Sequence, residues 1–158
     1  MRARWLIVLS VVALALVGVA ALLALRSNDS SGTTVDVSRL RPGHVIPVVV
    51  SLPDAKDTKA RVFVVRPPGR PVMALLGTST HLGCRLWWRG DPTRGEWFAT
   101  LPPQVEFEDP CGGSHFAIDG ACIGGPCPRG LDRYQVKIAD NTAEFDVHHL
   151  VTGPPRGS

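Results

Sequence analysis

Ser79-Thr80-His81-Leu82-Gly83-Cys84 and, thirty residues further on, Asp109-Pro110-Cys111-Gly112-Gly113-Ser114-His115-Phe116 are the two stretches on which the reading of this chain turns. Each puts thiol, imidazole, hydroxyl or carboxylate groups into a glycine-containing loop. On both sides of them the chain is a series of short strand-like runs, β-branched at residues 35–37, 44–50, 61–65 and 72–76, with later ones at 97–101, 115–118, 134–138 and 143–147. Pro42-Gly43 and Pro67-Pro68-Gly69 punctuate these runs as turns, and Asp140-Asn141 has the residue types of a hairpin turn. Helical periodicity is weak after residue 30. The pattern predicts an all-β domain of eight to ten strands over residues 35–151, followed by a disordered tail at 152–158 around Pro154-Pro155.

The chain has 158 residues, with 17 Lys+Arg against 14 Asp+Glu and a formal net charge of +3. So mild a balance, without any run of basic residues, is too weak to argue for nucleic acid, and no nucleic-acid partner is expected. The charge is unevenly spread, because residues 5–25 carry none. About 20 apolar residues span a bilayer core as a helix. Residues 1–26 therefore read as one N-terminal transmembrane anchor, and 27–34 as a flexible polar tether. Arg2 and Arg4 before the span put the N-terminus in the cytoplasm and the β domain on the outer face of the cell membrane. A cleaved signal peptide is the rival reading, but the run is longer than a signal core and Ala24 sits between two leucines.

Cys84, Cys111, Cys122 and Cys127 all lie beyond the span, where an even number of cysteines favours two disulfides; spacing leaves all three pairings open. Other candidates weaken on inspection. His148-His149 reads as a surface strand end, with no acidic or cysteine partner near in sequence. Trp87-Trp88 reads as a half-buried strand pair rather than a docking patch. Gly112-Gly113 lacks the strand-to-helix setting of a phosphate loop, and Ser79 near His81 lacks a nucleophile elbow, so enzymatic activity is not expected.

At the two loops the chain resembles the Rieske [2Fe–2S] iron–sulfur family, and most closely the membrane-anchored iron–sulfur subunit of cytochrome bc complexes. That family reads Cys-Thr-His-Leu-Gly-Cys in its first loop and Cys-Pro-Cys-His-Gly-Ser in its second, with a later proline loop. Here Gly125-Pro126-Cys127-Pro128 stands for the proline loop, and Thr80, Leu82, Gly83, Pro110, Gly113, Ser114 and Phe116 also match. The resemblance covers nearly the whole chain. It implies stacked antiparallel sheets with a two-loop cluster subdomain, after the one N-terminal span. It also implies a Cys84–Cys111 bridge between the loops, leaving Cys122 and Cys127 to pair at the proline loop.

The departures fall on the ligands. Carried over residue by residue, the family's ligand positions are Ser79, His81, Asp109 and Gly112, and only His81 keeps a ligand of the family's kind. A Rieske cluster takes two Cys on one iron and two His on the other. The expectation is therefore no cofactor: a membrane-anchored, cluster-free structural or interaction subunit, with a membrane protein complex of electron-transfer type as the partner suggested by analogy. The alternative is a [2Fe–2S] electron carrier of a cytochrome bc-type complex, ligated unusually by His81, Cys84, Cys111 and His115. Arg2-Ala3-Arg4 lacks the adjacent arginines of the export route used for proteins that leave the cytoplasm with a cluster loaded, which weighs slightly toward the first reading.

Overall fold

The computed structural model describes residues 32–52 and 58–157. The proposed anchor at residues 5–25 and most of the tether lie outside them. Among the described residues no helix is long and apolar enough to cross a membrane.

Among the described residues, ten strands form two antiparallel sheets. The larger contains β1 (Gly32–Asp36), β2 (Val45–Ser51), β3 (Lys59–Val65), β4 (Met73–Leu76), β9 (Arg133–Ala139) and β10 (Thr142–Val151), in the order β1-β10-β9-β4-β3-β2. The smaller contains β5 (Trp87–Trp88), β6 (Phe107–Glu108), β7 (His115–Phe116) and β8 (Cys122–Gly124), in chain order. One short helix, α1 (Gly95–Ala99), lies between β5 and β6.

The run Val62-Phe63-Val64-Val65 shows how the two sheets share the chain. All four residues are fully buried, although strand side chains alternate between faces. Val62 and Val64 enter a core with Val50, Ala74, Tyr134, Ala143 and Phe145, all supplied by the larger sheet, while Val37 and Leu40 join it from the turn after β1. Phe63 and Val65 face the other way, into a core with Leu75, Leu86, Phe107, Phe116 and Leu131. That second core joins the larger sheet to the smaller one and carries the loops on its far side. Phe63 and Phe107 rings meet there at 4.7 Å.

The β9–β10 hairpin turns at Asp140 and Asn141, both with positive φ (45° and 67°). Asp and Asn tolerate that region, and such a turn matches strand twist.

Three expectations change. Residues 97–101 are not a strand: α1 and its exit occupy them. The apolar content suited either state, and long-range contacts decide between them. Arg89 donates to the carbonyls of Val105, Phe98 and Pro102 at 2.8, 3.0 and 2.7 Å, gathering the end of α1 and the loop after it. Gly32, Thr33 and Thr34 are not tether but the start of β1, paired with Asp146, Phe145 and Glu144 of β10. Residues 152–157 are held as well. Gly153 N–H donates to Asp132 at 2.8 Å, the Pro154 carbonyl accepts from Gly130 N–H at 2.8 Å, and Arg156 donates to the Gly125 carbonyl at 2.8 Å. Proline gives up a donor but keeps its carbonyl, so Pro-Pro does not prevent docking.

Trp87 and Trp88 form β5, each half-buried. Alternation sends Trp88 toward Phe63, 6.1 Å between rings, and Trp87 edge-on to Trp97 at 6.0 Å.

Candidate functional site

The two loops close in matching ways. The first leaves β4 and the second joins β6 to β7. In the first, Ser79 N–H donates to the Cys84 carbonyl (2.8 Å) and Gly83 N–H to the Ser79 carbonyl (3.1 Å). In the second, thirty residues on, Asp109 N–H donates to the Ser114 carbonyl (2.9 Å) and Gly113 N–H to the Asp109 carbonyl (2.8 Å). Gly83 and Gly113 both hold left-handed backbone, at φ 72° and 70°, which glycine adopts without a Cβ penalty.

The first side chain of each loop also serves its own backbone. Ser79 Oγ accepts from His81 N–H at 3.2 Å. Asp109 Oδ1 accepts from Cys111 N–H at 2.9 Å and Gly112 N–H at 3.2 Å, the side-chain turn that Asp makes readily.

Across the gap these side chains meet each other. Ser79 Oγ donates to Asp109 Oδ2 at 2.7 Å, and both residues are buried. The Asp109 carboxylate thus accepts three hydrogen bonds, which is what a buried acid needs. His81 Nδ1 stands 4.0 Å from the same Oδ2. The His81 ring occupies the space beside Gly112, where a built Cβ would collide with Nδ1 and come within 3.1 Å of Asp109 Oδ2. Cys84 and Cys111 form a disulfide between the loops, Cα atoms 6.3 Å apart.

A third segment completes the cluster. Cys122 and Cys127 form the second disulfide, and Cys127 is buried in the core between the sheets. Between them Gly125, at φ 74°, lies so close to the second loop that a Cβ would strike the Gly113 carbonyl. Thr80 Oγ1 donates to the Arg129 carbonyl at 2.8 Å, tying the first loop to the segment after Pro128. Arg129 is itself paired with Asp132. Gly125, Pro126, Cys127 and Pro128 are therefore wedged beside the two loops.

His115 goes elsewhere. Its Nε2 is 3.7 Å from Oε1 of Glu108, a buried carboxylate whose Oε2 accepts from Trp97 Nε1. Sequence reasoning missed Glu108, because nothing local marks it and its partners lie 7 and 11 residues away. The acidic group whose side-chain donors do lie together with sulfur is Asp109: Cys84, Cys111 and Asp109 place their ligand atoms within 4.8 Å of one another. At His148-His149 the expectation of no nearby acidic partner is corrected: Asp146, two residues before His148 in the sequence, is that partner. Asp146 Oδ2 is 2.7 Å from His149 Nδ1, and hydrogen bonding from His148 N–H holds the Asp146 carboxyl below its usual range. That pair is exposed and lies on β10.

At the four positions that the resemblance marks as ligands, the side chains are one hydroxyl, one imidazole, one carboxylate and none. The hydroxyl and carboxylate are bonded to each other, and both nearby sulfurs are joined. This set does not supply the two thiolates and two imidazoles of a Rieske [2Fe–2S] cluster. Ser114 Oγ, the serine next to these positions, is buried with no hydrogen-bond partner among the described residues.

Two stacked antiparallel sheets carrying two disulfide-linked loops and a proline loop are the arrangement that the resemblance to Rieske proteins implies, and the chain is similar to iron–sulfur subunits of cytochrome b6-f complexes. Its relatives include the cytochrome b6-f complex iron–sulfur subunit 3 of Nostoc sp., 34% identical over 70 residues, which is 44% of this chain and 33% of that protein. Subunit 2 of the same organism is 28% identical over 125 residues, 73% of this chain and 62% of that protein. Subunit 1 of Synechocystis sp. is 29% identical over 109 residues, 63% of this chain and 54% of that protein. The matches thus span less than two thirds of each relative. A chain of a hyperthermophilic respiratory complex III is similar in structure, with TM-score 0.48, 28% identity, and coverage of 85% of this chain and 98% of its own. No protein-family model matches the chain.

Proposed function

We propose that this protein is a membrane-anchored, cluster-free Rieske-fold domain that serves as a structural or interaction subunit of a membrane assembly of electron-transfer type. The observation that carries this is the buried Ser79–Asp109 hydrogen bond at 2.7 Å. It joins two of the positions where the family resemblance puts cysteine ligands, and His81 closes over Gly112, the position of the second histidine. Serine and aspartate are hard oxygen donors, a poor match for sulfide-bridged iron. Held to each other, they cross-link the loops as a cluster otherwise does, together with Cys84–Cys111. The relatives' membership of cytochrome b6-f complexes supports a membrane complex as partner. The single span at residues 5–25, with the β domain on the outer face, supplies the attachment in this reading.

A second reading is a [2Fe–2S] carrier ligated by His81, Cys84, Cys111 and His115. One observation favours it: Ser114 Oγ is buried without a partner, and the matching serine of the family hydrogen-bonds a bridging sulfide. Against it stand the Cys84–Cys111 disulfide and the engagement of His115 with Glu108.

Iron and acid-labile sulfide decide between the two. They are measured on full-length protein from both an exporting host and an anaerobic, reducing cytoplasm. Neither preparation should contain either element. About two irons and two sulfides per chain, with the electron-spin signal of a reduced Rieske centre, overturn the first reading.

A further inference from the structure

We infer that breaking the Cys84–Cys111 disulfide converts the two-loop junction into a site for a single divalent zinc-type ion, held by Cys84, Cys111, Asp109 and His81. This goes beyond the cluster-free reading, and it uses a different set of atoms from any iron–sulfur ligation considered above, because Asp109 takes the place of His115.

The geometry comes first. The sulfurs of Cys84 and Cys111 and a carboxylate oxygen of Asp109 lie within 4.8 Å of one another. His81 Nδ1 is 4.0 Å from Asp109 Oδ2. Tetrahedral zinc with ligand bonds of about 2.0–2.3 Å needs donors roughly 3.3–3.8 Å apart. Among Cys84, Cys111 and Asp109 the contractions required are therefore on the order of 1 Å or less, and the two sulfurs need only part from bonding distance; the His81 ring, which stands beside Asp109 but outside that group of three, has to swing in to complete the set. The carboxylate is already aimed. Oδ1 is held by two backbone N–H groups, and Oδ2, which accepts the Ser79 hydroxyl, keeps a second lone-pair site. The Ser79 hydroxyl then orients a ligating carboxylate from behind, as groups around metal sites commonly do.

The chemistry balances. A dithiol reductant of the thioredoxin or dithiothreitol class gives two electrons and two protons, breaking the S–S bond to form two thiols while becoming a disulfide itself. The metal ion then displaces both thiol protons and binds two thiolates, one carboxylate and one neutral imidazole. Cys111 is exposed, so a small or protein dithiol can reach its sulfur. Two thiolates, a carboxylate and an imidazole suit zinc, which has no geometric demand of its own. In the oxidised state the sulfurs lack the charge to bind, so the loops are locked by a covalent bond under oxidising conditions and by a metal under reducing ones.

The test uses full-length protein in detergent, with Co2+ as a spectroscopic stand-in and Zn2+ in competition. Protein reduced with dithiothreitol and then freed of it anaerobically should bind one Co2+ per chain with a thiolate-to-cobalt charge-transfer band, which Zn2+ abolishes; the untreated protein should show none. His81→Ala should weaken binding about tenfold or more, and Asp109→Asn should do the same. The Cys122→Ser/Cys127→Ser variant should bind like the wild type, since the other disulfide is also opened. The inference is overturned if reduced protein binds no Co2+. It is also overturned if binding survives both His81→Ala and Asp109→Asn unchanged, or if it disappears with Cys122 and Cys127. Because these readouts involve no iron or sulfide, their failure leaves the cluster-free reading standing.

Discussion

Replacing Ser79 by Ala removes one oxygen from a buried contact and almost no volume, so its cost reports the hydrogen bond to Asp109 rather than a cavity. The bond is 2.7 Å long, both residues are buried, and no other donor reaches Oδ2 among the hydrogen bonds of the described residues. Hydrogen bonds to charged groups contribute about 1.5–3 kcal/mol, and a buried acceptor left short of a donor adds its own desolvation. We expect Ser79→Ala to cost about 2 kcal/mol. At this domain size 1 kcal/mol corresponds to roughly 3–6 °C, so Tm should fall by about 6–12 °C. The assay is thermal unfolding followed by near-ultraviolet circular dichroism of the tryptophans, with both disulfides intact. Asp109→Asn, which keeps the shape and removes the charge, provides the second arm of a cycle. In that background Ser79→Ala should cost about half as much, a coupling near 1 kcal/mol. A Ser79→Ala protein within 0.5 kcal/mol of wild type in both backgrounds would refute the idea that this pair cross-links the loops.

Four further outcomes follow from the same geometry. Cys84→Ser/Cys111→Ser should lose about 3–4 kcal/mol, the value of closing a loop of this size, seen as a lower Tm in non-reducing buffer. Gly125→Ala should lose about 2 kcal/mol or more, because left-handed backbone and the Gly113 carbonyl both oppose a Cβ, and fluorescence-detected unfolding measures it. His81→Ala should change stability by less than about 1 kcal/mol, since the ring is partly exposed and makes no short bond, while Gly112→Ala should be better tolerated in that background than in the wild type. Burial pushes the Glu106 carboxyl up from 4.5 to about 7 against the opposing Arg89 charge, so the folded state holds that proton more tightly than the unfolded chain. The stability it contributes is full below pH 4.5 and is lost as pH rises to 7. Glu106→Gln should flatten that slope and gain on wild type above pH 7, read as the Tm difference across a pH series.

The parts of this fold that depend on local alternation were legible in the sequence. The runs that form β2, β3, β9 and β10 carry β-branched residues, β4 follows Val72 with an apolar run, and Asp140-Asn141 announced its hairpin. The parts set by distant partners were not. The segment around Trp97 has strand-like composition, yet Arg89 collects its carbonyls into a helical turn and a loop. The Pro154-Pro155 tail is fixed by Gly130, Asp132 and Gly125, all more than twenty residues away. At the loops, composition revealed that Ser79, Asp109 and Gly112 depart from the family pattern. It did not reveal that Ser79 and Asp109 bond to each other, or that His81 covers Gly112, because both depend on how two loops thirty residues apart are juxtaposed. Nor did it reveal that His115, read as a candidate ligand, faces Glu108.

The paired loop closures bear on how such a domain can change over time. Each loop is shut by its own two backbone hydrogen bonds and its own left-handed glycine, and none of these involves the side chains of Ser79, His81, Asp109 or Gly112. The backbone closures are thus separate from the side chains in the gap, although Ser79 Oγ and Asp109 Oδ1 add hydrogen bonds of their own to the same loops. Exchanging a side chain in the gap therefore costs what its own bonds and its fit contribute, while the two backbone closures stay the same. Order matters at Gly112, where any side chain requires the His81 ring to move first, because a Cβ there would meet His81 Nδ1.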